Sequence, residues 1–158
     1  MTSIRQSLDM TESRDAGPDP ETIVHHIQLT YPDTDVVAIE GAWFFSVDPE
    51  KHWPNFATIV EHDDYDTKSE LTRPGVFRLN IGVGKDTFLR LVGDQAEPDY
   101  VSLDQVFPHP DYAAQRWISI LNPSQATFDE LVRSLLDEAH ARVVRQFRLK
   151  RGELPEFD

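Results

Sequence analysis

A chain of 158 residues carries 28 acidic against 15 basic side chains, a formal charge of −13, and not one cysteine. That balance argues against general binding to nucleic acid or to an anionic membrane, both of which need clustered cations. The missing thiols exclude disulfides, zinc–thiolate and iron–sulfur sites and cysteine nucleophiles.

The length fits one domain able to bury a sizeable core. No apolar run approaches the ~20 residues that a membrane span needs, and the polar N-terminus lacks the pattern of a signal peptide, so a cytoplasmic protein is expected. Lysine occurs only at Lys51, Lys68, Lys85 and Lys150, with arginine supplying the other cations. Such an acid- and arginine-rich surface suits a salt-rich source, although a GC-rich genome produces the same arginine bias.

Residues 1–17 are polar and without sustained periodicity and are expected to form a mobile arm, with a single α+β domain over 18–148 and a tail over 149–158. Asp19-Pro20-Glu21 has the order of a helix start: a capping Asp, a Pro at the first helical position and an acid near the positive dipole end. That helix carries Ile23, Val24 and Ile27 and stops by Tyr31-Pro32. Val36 to Val47 reads as one long strand with Val37, Ile39, Trp43, Phe45 and Val47 on one face. A connection from Asp48 to Asn55 leads to a second strand, Phe56 to His62, short enough for an edge, and then to the acidic loop Asp63-Asp64-Tyr65-Asp66.

Pro74-Gly75 is a turn signal, and strict alternation follows it. Phe77, Leu79, Ile81 and Val83 share a core face, while Val76, Arg78, Asn80 and Gly82 share the other. Asp86 or Thr87 is expected to cap a short helix with Phe88, Leu91 and Val92. Two prolines in Tyr100–Pro110 exclude a central strand there. Asp111–Gln115 suggests one helical turn, Arg116–Leu121 a last strand, and Thr127-x-x-Glu130 a capping box for a long final helix. Phe77–Ile81 also aligns without a gap on Trp117–Leu121, as Thr87-Phe88 does on Thr127-Phe128. Either any strand running into a capped helix looks like this, or two related units share one sheet. The predicted fold is α+β: an antiparallel sheet, made of a meander plus a later strand, with N-terminal, middle and long C-terminal helices on one side.

The polar face of the Arg78 strand is the natural place for a ligand. Arg78 and Asn80 lie two apart on it, Arg73 stands at its entry, and the segment Pro108-His109-Pro110 brings a stiffened imidazole with Tyr112 and Gln115 close behind. Arg73, Arg78, Asn80, His109, Tyr112 and Gln115 are therefore the candidate ligand-binding residues. The competing reading gives Arg78 a salt bridge to Glu40 or Glu61 and His109 a bond to a backbone carbonyl. Should the site be enzymatic, His109 is the candidate general base, with Asp104 or the acidic loop beside it.

No metal and no cofactor is assigned. His62-Asp63-Asp64 with Asp66 lacks a Ca²⁺-loop signature and reads as a solvated turn. Gly82-x-Gly84-Lys85-Asp86-Thr87 lacks the phosphate-loop pattern, since Asp86 stands where Ser or Thr is required. A lone anion at that helix start is the weaker option. The basic residues Arg142 to Arg151 complement a helix dipole.

Three motifs taken together, PGVFRLNIGVGKDTF (Pro74 to Phe88), PHPDYAAQRW (Pro108 to Trp117) and LNPSQATFDEL (Leu121 to Leu131), resemble an uncharacterised prokaryotic domain-of-unknown-function family across roughly Phe44 to Arg145. In the order of its closing strand and helix the chain is also distantly similar to YjbR/MmcQ-like proteins. That likeness implies a CyaY-like α+β fold and, for some such proteins, a supposed DNA-binding role that the acidity here departs from. The functional expectation is a module binding a small ligand or a protein. A small hydrolase or metal-assisted enzyme using His109 as base competes with it, as does nucleic-acid binding in the YjbR manner.

Overall fold

The computed structural model describes residues 16–153; the expected N-terminal arm lies outside them but for its last two residues, as does the end of the expected tail. The elements in chain order are α1 (Pro20–Thr30), β1 (Asp35–Ile39), β2 (Ala42–Ser46), β3 (Asn55–Val60), β4 (Arg78–Gly82), α2 (Lys85–Val92), β5 (Val106–Pro108), a 3₁₀ turn (Ala113–Gln115), β6 (Trp117–Leu121) and a long C-terminal helix, α3. α3 begins as Gln125–Thr127, passes through a π turn at Phe128–Val132 and continues as Arg133–Lys150. The strands form one antiparallel sheet in the order β1-β2-β3-β4-β6-β5.

Alternation divides this sheet into two unlike faces. On one, Phe45, Phe56, Ile59, Leu79, Ile81, Ile118 and Ile120 pack against Ile23 and Ile27 of α1, Val92 of α2, and Phe128, Val132, Leu135, Leu136, Ala139 and Val143 of α3. Each of these side chains larger than alanine contributes about 1.5–3 kcal/mol by leaving water. Among the described residues no α-helix packs on the other face. Its smaller apolar cluster, Ala42, Val60, Leu71, Phe107 and Leu121, is covered by loops and leaves the middle of the sheet to polar groups. No helix among the described residues is long and apolar enough to cross a membrane.

Asp19 caps α1 as its sequence predicts, accepting Thr22 N–H at 2.8 Å. Several other expectations change. Val36–Val47 is a hairpin, because Gly41 (φ 75°) turns the chain and a Cβ there would meet the His62 ring at 2.5 Å. Val36 pairs with Phe45 and Ala38 with Trp43, so Val37 and Ile39 point to the opposite face, and Ile39 is 54 % exposed. β3 is central, between β2 and β4; the edge beside β6 belongs to β5, where Pro108 costs no inner ladder bond.

Neither later cap stands where the sequence puts it. Ser124, three residues before Thr127, caps α3. The cap position of α2 is Gly84, which has no side chain, and Glu138 from α3 caps it instead, accepting Gly84 N–H at 2.6 Å and the Thr87 hydroxyl at 2.8 Å. The gapless alignment of β4 on β6 sets Leu79, in the helix-covered core, on Ser119, which faces the other way. The two strands are out of phase and are not copies of one unit.

Candidate functional site

The helix-free face is organised by one polar row. Thr58 of β3, Asn80 of β4 and Ser119 of β6 are direct cross-strand partners. Asn80 uses this placement fully: Nδ2 donates to Thr58 Oγ1 at 2.9 Å, and Oδ1 accepts Ser119 Oγ at 2.7 Å. Two residues away on the same face, Arg78 donates from Nε to Asn80 Oδ1 at 3.1 Å. Its Nη1 and Nη2 hold both oxygens of Asp66, at 3.0 and 2.7 Å, and Nη1 also reaches Ser69 Oγ at 3.2 Å.

Arg78 is 2 % exposed, so this forked pair is buried. A buried guanidinium without a carboxylate is prohibitive, and the planar bidentate geometry is the strong form of such a pair. Burial pushes the Asp66 carboxyl up, but the hydrogen bonds and charge of Arg78 outweigh it and hold the group below the usual carboxylate range. The carboxylate that Arg78 binds is thus internal: Asp66, and neither Glu40 nor Glu61.

His109 enters from the β5–β6 connection, its own N–H bonded to Trp117 O at 2.9 Å. The 3₁₀ turn that follows folds back so that Asp111 N–H and Tyr112 N–H both donate to Nδ1, at 3.0 and 3.1 Å. The expected bond to a backbone carbonyl is therefore reversed. Two donors aimed at Nδ1 require a lone pair there, which puts the imidazole proton on Nε2. Among the described residues no protein group pairs with that Nε2–H. Burial first, then the nearby Arg78 cation, lowers the His109 pKa to about 4, with Asp66 opposing. At neutral pH this ring is an uncharged hydrogen-bond donor.

These groups open onto a cavity of ≈ 570 Å³. Thr58, Arg78, Asn80 and Asp66 line it together with His109, Asn55 and a second carboxylate, Asp111, and five aromatic rings, Phe44, Trp53, Tyr65, Tyr112 and Trp117, form much of the wall. Trp53 (65 % exposed) and Tyr112 (56 %) stand at the mouth. Gly82 matters here through its missing Cβ, since the Trp117 indole passes 3.0 Å from where that atom would be. The volume and the mostly apolar wall with a few convergent polar groups are those of a small-molecule pocket.

Of the candidate residues, Arg78, Asn80, His109, Tyr112 and Gln115 all line this cavity, and Arg73 does not. Arg73 instead ties loops together, donating to the Glu70, Ser69 and Val101 carbonyls. Asp104 is also elsewhere, occupied by Ser124 N–H at 2.8 Å. The acidic loop is divided between tasks: Asp63 accepts Leu71 N–H, Asp66 serves Arg78, and His62 lies against Glu40 O. No group of His, Asp and Glu among the described residues is arranged to hold a metal ion. The start of α2 is filled by Glu138, which takes the place of any outside anion.

Sequence reasoning found Tyr112 but missed Asp66 as the partner of Arg78, Asn55, and the other four rings of the wall. Asp66 was within reach, because a guanidinium on a strand face calls for an acid and the nearest acidic run is Asp63–Asp66. Comparison with known proteins gives one positive result: a family model, described as a family of unknown function (DUF6194), matches residues 18–152. No curated protein and no solved structure matches, and the likeness to YjbR/MmcQ-like proteins gains nothing from these comparisons. The chain belongs to the DUF6194 family.

Proposed function

We propose that this DUF6194 chain is a small-molecule binding module whose site is the cavity on the helix-free face of its sheet. The observation that carries the reading is the pair of backbone N–H groups on His109 Nδ1. A general base acting through Nε2 must hold its proton on Nδ1, and here that proton would collide with two donors. A hydrolase using His109 as base therefore works against its own hydrogen bonds, and Asp104 is absent from the cavity to help it. A neutral ring with a fixed Nε2–H is instead suited to binding: it donates to a ligand acceptor without any change of charge.

Nucleic acid and protein are less well matched to this surface. Nucleic-acid binding would need a free basic patch, whereas Arg148 and Arg151 at the end of α3 both pair with Glu153. A protein partner would reach only the exposed rings of Trp53, Tyr65 and Tyr112, with the polar row recessed behind them, a shape that favours a small ligand. The cytoplasmic placement and the salt-rich source expected from composition belong to this reading too.

A ligand-observed NMR screen against a metabolite library tests it, with Trp53→Ala and Tyr112→Ala as controls. Both side chains are exposed, so their truncation leaves the fold intact. Hits that bind wild type and weaken in both variants are the expected result. Hits indifferent to both variants, or no hits at all, would remove the site.

A further inference from the structure

We infer that the cavity takes an organic cation, a quaternary or protonated amine that carries an oxygen acceptor a few bonds from its nitrogen; this deepens, and rests on, the binding reading above. Three observations converge on it. The first is charge. The lining holds two carboxylates, Asp66 and Asp111, against one guanidinium, Arg78, which leaves one negative charge while His109 is neutral. Asp66 is tied up by Arg78 in the buried fork, at 2.7 Å, so that pair offers a ligand no net charge. Asp111 is exposed, and among the described residues its carboxylate accepts no hydrogen bond and meets no cation. The chain's charge of −13 also draws cations toward such a mouth.

The second is the aromatic wall. A cation over a ring face is held by the ring quadrupole, and more strongly where water is excluded. The protein's own cations use other rings: Lys68 lies over Tyr100, Arg133 over Phe128 and Arg151 over Phe147. None of these rings belongs to the cavity, so the faces of its wall are left for a guest. The third is a free donor. His109 lines the cavity at 5 % exposure, and its Nε2–H has no partner among the described residues. Unlike Asn55 Oδ1, that nitrogen is not sealed from solvent, so a guest can reach it. Asp111 N–H and Tyr112 N–H close on the same imidazole at 3.0 and 3.1 Å, and the Tyr112 ring lies 4.9 Å from it. One folded turn thus holds the donor, a ring and the carboxylate within the span of one small molecule. The ligand oxygen accepts from Nε2–H while its cationic nitrogen meets the ring and Asp111.

Three probes separate these features. Acetylcholine has both the cation and the oxygen. Neohexyl acetate is its uncharged carbon isostere, and pentyltrimethylammonium keeps the cation and the chain without any oxygen. Benzoate is the anionic control. Affinities are read from the indole N–H NMR signals of Trp53 and Trp117, which line the cavity, with Trp43, packed against the helix-covered core, as the silent reference. Acetylcholine should bind about tenfold more tightly than neohexyl acetate, the size of a cation–π contact joined to an exposed ion pair. Asp111→Asn keeps the size of the side chain and its backbone N–H. It should weaken acetylcholine about threefold to fivefold and leave neohexyl acetate unchanged. His109→Asn supplies a carbonyl for the Asp111 and Tyr112 N–H groups while losing the Nε2–H. It should weaken acetylcholine about fivefold and leave pentyltrimethylammonium unchanged, which also reports that the site still stands.

Equal binding of acetylcholine and neohexyl acetate, or wild-type affinity for acetylcholine in Asp111→Asn, would overturn the cation inference and leave the cavity reading standing. Preference for benzoate would overturn it likewise. Pentyltrimethylammonium binding as tightly as acetylcholine would overturn the oxygen-acceptor half. Absence of shifts with both cations would overturn the whole inference, and with no hit in the metabolite screen the cavity reading would fall too.

Discussion

His109 and Arg78 are neighbours with opposite fates: one keeps a free donor, the other spends its charge internally. For His109 the sign of the pH effect is fixed by its lowered pKa, about 4 in the fold against an ordinary value of 6.5. The unfolded chain binds the proton first, so the stability this residue contributes is whole above pH 6.5 and is lost as pH falls toward 4. Urea denaturation at pH 7 and pH 4.5 should show this loss in wild type and a smaller one in His109→Asn. For Arg78, Asp66→Asn leaves a buried guanidinium without its counter-charge and should destabilise by about 3–5 kcal/mol. The double change Asp66→Leu with Arg78→Met should recover much of that, again read by urea denaturation. Alternation alone placed Arg78 and Asn80 on the right face, and the proline-framed segment brought His109 to them. Asn55 was hidden, because nothing local distinguishes an orphaned amide from a loop residue at a strand start.

At the scale of elements, helices and strands with their own signals were legible and those capped from a distance were not. α1 carries Asp-Pro-Glu at its start, and β4 alternates without a break. α2 has glycine where a cap belongs, and its partner Glu138 lies 54 residues along the chain. Thr87→Val and Glu138→Ala should each cost about 1 kcal/mol. Because both changes break the same contact, the double variant should lose less than the sum. The β1–β2 hairpin was misread because its apolar residues run on through a turn of only Glu40-Gly41. Gly41→Ala tests that turn: it forces a side chain into left-handed backbone and against the His62 ring, and should destabilise by roughly 1–3 kcal/mol in urea.

Over the whole molecule, one sheet serves two purposes because its residues alternate. The face under the helices supplies the core, and the face without them supplies a cavity whose polar floor is cross-braced through Thr58, Asn80, Ser119, Arg78 and Asp66. The architecture and the polar floor of the cavity were readable from periodicity; most of its aromatic wall was not, because it gathers from strands and loops far apart in sequence. A net charge of −13 also acts at this scale, through self-repulsion of the compact state. The melting temperature should therefore rise as NaCl is increased from low to moderate concentration, where screening alone operates.

The binding reading depends on where one proton sits, and nitrogen NMR of the His109 imidazole measures that directly across pH 4 to 8. The structure predicts a protonated Nε2 beside a bare Nδ1 at neutral pH, with a titration midpoint near 4. A proton on Nδ1, or a midpoint near the ordinary 6.5, would contradict it and return His109 to the role of a base.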